Sequence, residues 1–217
     1  MLRESKGNMY DWITHTWNPI KGKCPHDCSY CYMKRWGERK PLRLDEKELR
    51  TDLGSGNFIF VGSSTDMFAR EVPDEWIVSV MEHLMKFDNK YLFQSKNPWN
   101  MFMGEYPSSS VFCTTIETNR WYPEIMRNSP QPEIRAMDMS KSKARKYVTI
   151  EPIMDFDLDP MVELIRMCHP LQVNIGADSG NNHLPEPSRE KLLQLIEELG
   201  KFTVIARKSN LGRILCS

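Results

Sequence analysis

Asn57–Asp66 reads NFIFVGSSTD, and the order of its residue types sets the architecture. Asn57–Gly62 is predicted as a strand. Its apolar run shows no polar alternation, which suits a strand buried on both faces of a parallel sheet. Four polar residues follow: Ser63, Ser64, Thr65 and Asp66. A helical pattern comes next over Asp74–Phe87. Pro73 and Asp74 open it, and Trp76, Ile77, Val80, Met81 and Leu84 share one face. Strand, polar loop and helix make one βα unit.

The unit recurs along the chain. Further strands are predicted within Trp12–Trp17 and over Tyr91–Gln94, Val111–Ile116, Tyr147–Ile150 and Gln172–Gly176. Phe202–Ala206 is a candidate seventh. Helices are predicted from about Cys28 to Trp36, over Asp45–Thr51, from Pro98, and over Pro132–Lys143, Asp159–Met167 and Ser188–Leu199. Tyr122–Gln131 reads as loop or short turns. Six to seven units within 217 residues leave no room for a second domain. Residues 1–217 are therefore expected to form one α/β domain, either a doubly wound sheet or a barrel or partial barrel. In both, ligands gather at the C-terminal ends of the strands.

Composition narrows the function classes. Lys plus Arg is 29 and Asp plus Glu is 29, so overall charge does not draw the chain to nucleic acid or an anionic membrane. The Lys and Arg clusters at 34–43 and 141–146 read as solvated helix faces. No run of 18 apolar residues marks a membrane span, and MLRESKGNMYDW lacks the apolar stretch of a signal peptide. The expected location is the cytoplasm. Disulfides are rare there, and clustered cysteines bind metal more often.

Three of the six cysteines fall in Cys24–Tyr32, CPHDCSYCY, directly after the first predicted strand. A tetrahedral zinc site takes four ligands. Cys24, Cys28 and Cys31 supply three, and His26 is a cramped fourth on a short loop. Three thiolates with one open position suit a four-iron cluster that binds something else as well. Cys113 and Cys168 read as small core hydrophobes.

The later strands end in polar groups on the same rim. They deliver Ser63, Ser64 and Asp66; Ser95 and Lys96; Thr115 and Glu117; Glu151; then Ala177 and Asp178, with Asn174 inside the last strand. Each has an ordinary reading as a cap or a turn residue. Together they predict an active site.

CPHDCSYCY resembles the Cys-x3-Cys-x-aromatic-Cys pattern of the radical S-adenosylmethionine (SAM) superfamily, with Tyr30 as the aromatic. The phrases TWNPIKGKCPHDCSYCY, STDMFAREVPDEWI, FQSKNP, TTIETNR, VTIEPIMDFDL and NIGADS are similar to the phage-protein Gp37/Gp68-like family of these proteins. In parts they resemble spore photoproduct lyase, which repairs a thymine dimer in DNA. The resemblance implies a partial (βα)6-type TIM barrel and a [4Fe–4S] cluster on Cys24, Cys28 and Cys31. One electron, from a donor such as a flavodoxin or ferredoxin, would cleave SAM to methionine and a 5′-deoxyadenosyl radical, which takes hydrogen from substrate.

The resemblance also implies roles for residues. Tyr30 would lie near the adenine. Gly62-Ser63-Ser64 with Asp66 stands where the family has a Gly-Gly-Glu-like motif for the methionine amino group. Thr115 and Glu117 would meet the ribose, and Lys96 the SAM carboxylate. Glu151, Asn174, Ala177 and Asp178 would serve SAM or substrate. Cys113 is a candidate hydrogen donor, against its reading as a buried strand cysteine. An open barrel side would admit a large substrate such as a nucleic acid or a peptide. The alternative is a non-enzymatic zinc or iron–sulfur module acting as a nucleic-acid accessory protein. Lys34–Arg43, with Tyr32 and Trp36, would then contact phosphates and bases.

Overall fold

A computed structural model describes residues 1–6, 9–102 and 104–216. Ten strands run in chain order: β1 Arg3–Glu4, β2 His15–Trp17, β3 Ile20–Lys21, β4 Arg43–Leu44, β5 Phe58–Val61, β6 Lys90–Ser95, β7 Ser110–Thr115, β8 Lys146–Ile150, β9 Gln172–Ile175 and β10 Val204–Arg207. Helices α1 Asp74–Leu84, α2 Pro98–Met101, α3 Pro123–Met126, α4 Pro132–Ser140, α5 Leu158–Met167, α6 Arg189–Gly200 and α7 Gly212–Leu215 lie between or after them.

The main sheet has the order β1-β2-β5-β6-β7-β8-β9-β10. All its neighbours pair parallel except β1, which pairs antiparallel with β2. β1 and β10 do not pair among the described residues, so the barrel stays open. The candidate seventh strand exists as β10, with Val204 beside Gln172. β3 and β4 form a separate antiparallel ladder.

Alternation divides the strand residues between two apolar clusters. Ile59, Val61, Tyr91, Phe93, Phe112, Val148, Ile150, Val173 and Ile175 pack outward in one cluster with the helices. Phe60, Leu92, Val111 and Cys113 point inward and join Tyr10 and Ile13 from the N-terminal segment. That segment fills the inner face of the barrel, so the strand ends above it are what remains open. No helix of the described residues is long and apolar enough to cross a membrane.

Two predicted helices do not form. Asp45–Thr51 makes only a 3₁₀ turn over Glu48–Arg50. Cys28–Trp36 is not an α-helix. Only a 3₁₀ turn forms over Tyr32–Trp36, and none of its residues is buried. Without an apolar face against a neighbour, nothing offsets the cost of nucleating a helix there. In the 141–146 cluster Lys141, Lys143 and Arg145 are exposed as expected, but they follow the end of α4 and do not lie on a helix. Lys146 begins β8 and is buried, its Nζ donating to the carbonyls of Met139 (3.0 Å) and Ser142 (2.7 Å).

Candidate active site at the strand ends

Cys24, Cys28 and Cys31 line one cavity of about 640 Å³ at the C-terminal ends of the strands. That size is ordinary for a small-molecule site. All three are free thiols. Burial pushes the Cys24 thiol up to about 12, and the nearby Asp66 carboxylate adds to it. Burial likewise raises Cys31. A metal would have to displace these protons.

The cysteine loop is held from two sides. On one side, His26 Nε2 pairs with Asp66 Oδ2 at 2.8 Å, and Thr65 Oγ1 donates to Gly22 O at 3.0 Å. On the other, Ser29 N donates to Ile125 O (2.9 Å), Asn128 Nδ2 donates to Pro25 O (3.0 Å), and Arg127 pairs with Asp27 (2.7 Å). His26 is thus an anchor of the loop. Among the described residues, no three His, Cys, Asp or Glu side chains are grouped to hold a single ion.

Twelve of the residues expected at the site line the cavity: the three cysteines, Tyr30, Ser63, Ser64, Asp66, Lys96, Thr115, Glu151, Ala177 and Asp178. Several are committed to their neighbours. The Ser63 hydroxyl exchanges hydrogen bonds with the Asn18 side chain, which also accepts from Ser64 N at 2.8 Å. Asp66 accepts from Ser95 Oγ (2.9 Å), Lys96 N (2.8 Å) and Phe68 N (3.0 Å), besides His26. Burial alone would raise its carboxyl. His26 and the amide donors more than offset that and leave it below the usual range. Asp178 accepts from the loop amides of Gly180 and Asn182.

Three expected residues stand elsewhere. Glu117 was expected at the ribose, but it is fully buried and does not line the cavity. Its carboxylate receives Arg135 Nη1 at 2.7 Å, Lys96 Nζ and the Tyr30 hydroxyl. Burial works against its charge, yet Arg135 and then Lys96 hold its pKa at about 2. Asn174 is buried inside the barrel. Its Oδ1 accepts from Gln172 at 2.7 Å, and its Nδ2 lacks a partner among the described residues. Cys113 also points into the barrel interior, fully buried, with its thiol pushed well up by burial. It does not line the cavity, so the hydrogen-donor role is not supported.

Other residues at the site escaped the sequence reading. Gln94 takes the Tyr10 hydroxyl at 2.9 Å and donates to Thr115 Oγ1 at 3.1 Å. It is the one polar residue of the predicted strand Tyr91–Gln94, which was a usable signal. Lys208, just past β10, pairs with Glu151 at 2.7 Å and stands 4.8 Å from the Tyr10 ring centre. The seventh strand end was the place to look for it. Arg135 lies within α4 and had no sequence signal.

Comparisons with known proteins agree with this architecture. The profile of the family described as "Protein of unknown function (DUF5131)" matches residues 8–191. No curated protein matches. Among solved structures, spore photoproduct lyase with bound AdoMet and dinucleoside spore photoproduct is similar at a TM-score of 0.56 and 12% identity. The match covers 92% of this chain and 66% of the lyase. Streptococcus suis SuiB bound to its precursor peptide SuiA is similar at a TM-score of 0.55 and 12% identity, over 88% of this chain and 48% of SuiB. The chain therefore spans about two thirds of the lyase and about half of SuiB. At these identities the likeness is one of fold: a mostly parallel eight-stranded sheet that does not close. The likeness to the Gp37/Gp68 proteins rests on the quoted phrases alone.

Proposed function

We propose that the chain, which belongs to the DUF5131 family, is a radical SAM enzyme that carries one [4Fe–4S] cluster. The observation that carries this reading is the meeting of all three loop cysteines, as free thiols, in one cavity with the polar strand ends. Their donor chemistry suits an iron–sulfur cluster, which takes thiolates one to an iron. A single zinc ion takes four ligands, and the loop's one histidine, His26, is already paired with Asp66 at 2.8 Å. This favours the cluster over the zinc module. The solved neighbours with AdoMet or S-adenosylmethionine in their descriptions support SAM as the second ligand.

When bound, the cluster would supply the electron that cleaves SAM to methionine and a 5′-deoxyadenosyl radical. The protein's part is to bind, orient and exclude water. Cys24, Cys28 and Cys31 would hold the cluster. Ser63 and Ser64, kept in place by Asn18, offer hydroxyls at the end of β5. Lys96 reaches the cavity wall with its ammonium shared between Glu117 and Tyr30. Lys96 and Arg135 carry two positive charges against the one of Glu117, so an anionic group such as the SAM carboxylate would be welcome beside Lys96. Glu117 acts by positioning Lys96 and Tyr30. Thr115 and Gln94 present a hydrogen-bonded polar floor. Residues 1–217 would act as a single domain, and a flavodoxin or ferredoxin would deliver the electron.

The test is anaerobic reconstitution with iron and sulfide. A broad visible absorbance and dithionite-dependent release of 5′-deoxyadenosine are expected. Replacing Cys24, Cys28 and Cys31 together by Ala should abolish both. A triple variant that keeps both overturns the reading.

A further inference from the structure

The lip of the cavity carries charge that the whole chain does not. Lys plus Arg equals Asp plus Glu at 29 each. Yet seven Lys and Arg side chains line the cavity against four Asp and Glu. All four acids are engaged. Asp27 pairs with Lys34 at 3.1 Å and Arg127 at 2.7 Å. Asp66 takes His26, and Glu151 takes Lys208. Asp178 accepts from its own loop. Among the described residues, no ion pair holds Lys6, Lys23, Arg35 or Arg39.

Beside these cations stand two rings. The Tyr32–Trp36 turn buries nothing, and Tyr32 and Trp36 are 44% and 56% exposed. They are nonetheless held. The Tyr32 hydroxyl donates to Ser63 O at 2.6 Å, and the Trp36 ring stands edge-on at 5.8 Å. The Arg35 guanidinium lies 4.2 Å from the Trp36 ring centre. Exposed rings beside free cations make a surface with a definite chemistry. Phosphates meet the cations, and unpaired bases stack on rings and guanidinium planes. A duplex shows few base faces, so the rings favour a single strand. An acidic protein would answer the charges but not the rings.

We propose that this lip binds single-stranded nucleic acid and presents one of its nucleotides to the cavity as substrate. The strand binding stands alone; the substrate role rests on the radical SAM reading above.

The experiment is fluorescence anisotropy with short labelled single-stranded DNA and RNA. With four free cations at about 0.7 per phosphate, log affinity should fall against log salt with a slope of about −3. Arg35→Glu/Arg39→Glu should flatten that slope and weaken binding about tenfold or more. Trp36→Ala should weaken it about tenfold and leave the slope unchanged. These side chains lie at the surface, and circular dichroism checks that each variant folds. Strand binding that is absent, or indifferent to both variants, overturns the proposal. So does an acidic flavodoxin that binds in a way the Arg35/Arg39 variant abolishes while no oligonucleotide binds; the lip is then a donor dock. Reductive cleavage of SAM, assayed on the unaltered protein, separates the two claims. If it is absent while strands bind, the substrate role falls and the binding surface stands.

Discussion

His26 Nε2 stands 2.8 Å from Asp66 Oδ2, with only 6% and 9% of the two side chains exposed. This contact ties the cysteine loop to the end of β5. Asp66 also gathers Ser95, Lys96 N and Phe68 N, so it fixes the loops after β5 and β6 at once. Asp66→Ala leaves four donors without an acceptor in a nearly dry site. The expected loss is roughly 3–5 kcal/mol, or about ten degrees in melting temperature, together with poor iron loading after reconstitution. His26→Gln, which can still reach Asp66, should lose less of both. Calorimetry and iron analysis check this. Wild-type melting of Asp66→Ala would remove Asp66 from the frame of the loop.

Glu117 makes a pH prediction. Its carboxyl is held at about 2 against an ordinary 4.5, by Arg135 and Lys96 working against burial. A depressed acid stabilises the fold fully above the unfolded pKa and loses that contribution as pH falls through the folded one. The window therefore runs from about 4.5 down to about 2. Glu117→Gln should cost several kcal/mol at neutral pH, because Arg135 stays buried without its counter-charge. The gap to the wild type should narrow across that window. Urea unfolding of both proteins at stepped pH measures it. A constant gap down to pH ~2 would mean that Glu117 does not stay ionised.

The fold was legible because each strand is an apolar run with a polar loop after it. Phe58–Val61 and Ser110–Thr115 lie within one residue of where patterning put them. The site was legible only in part. Side-chain type shows which groups can reach a rim, while burial decides which are already taken. Glu117 looked like an acid facing a sugar because its partner Arg135 comes from α4, 18 residues away in sequence. Asn174 was a candidate because it shares the inward face of its strand, but it lies below the strand end, where its Oδ1 is taken by Gln172 two residues deeper. The segment at Ile125–Ser129 was read as loop or short turns, and nothing in its residue types announced that Ile125 O, Asn128 and Arg127 clamp the cysteine loop.

Gly22 predicts a steric requirement beside the first cysteine. Its φ is +119°, and a Cβ there would meet Pro41 O at 2.4 Å. The obstacle is backbone, so it cannot swing aside. Gly22→Ala must push the Pro41 segment or the Cys24 loop out of place. The expected result is a folded protein with lowered melting temperature and a cluster that loads incompletely, read as visible absorbance per chain after reconstitution. Full absorbance with unchanged melting would show that the two segments can separate freely.

Gly176 and Glu151 form the last test, and it is one of coupling. Gly176 follows β9, and a Cβ on it would lie 2.8 Å from Glu151 Cδ and Oε1. The Glu151 side chain thus lies across a surface that only glycine leaves open, with Lys208 2.7 Å from its carboxylate. Gly176→Ala must displace that carboxylate and part it from Lys208. A side-chain end can move, so overpacking should cost about 1–3 kcal/mol. Glu151→Ala removes the obstacle. The cost of Gly176→Ala should then shrink by about 0.5 kcal/mol or more in the Glu151→Ala background. Urea unfolding of the wild type, both single variants and the double variant gives the coupling directly. Strict additivity would show that Glu151 does not occupy the space over Gly176 in solution.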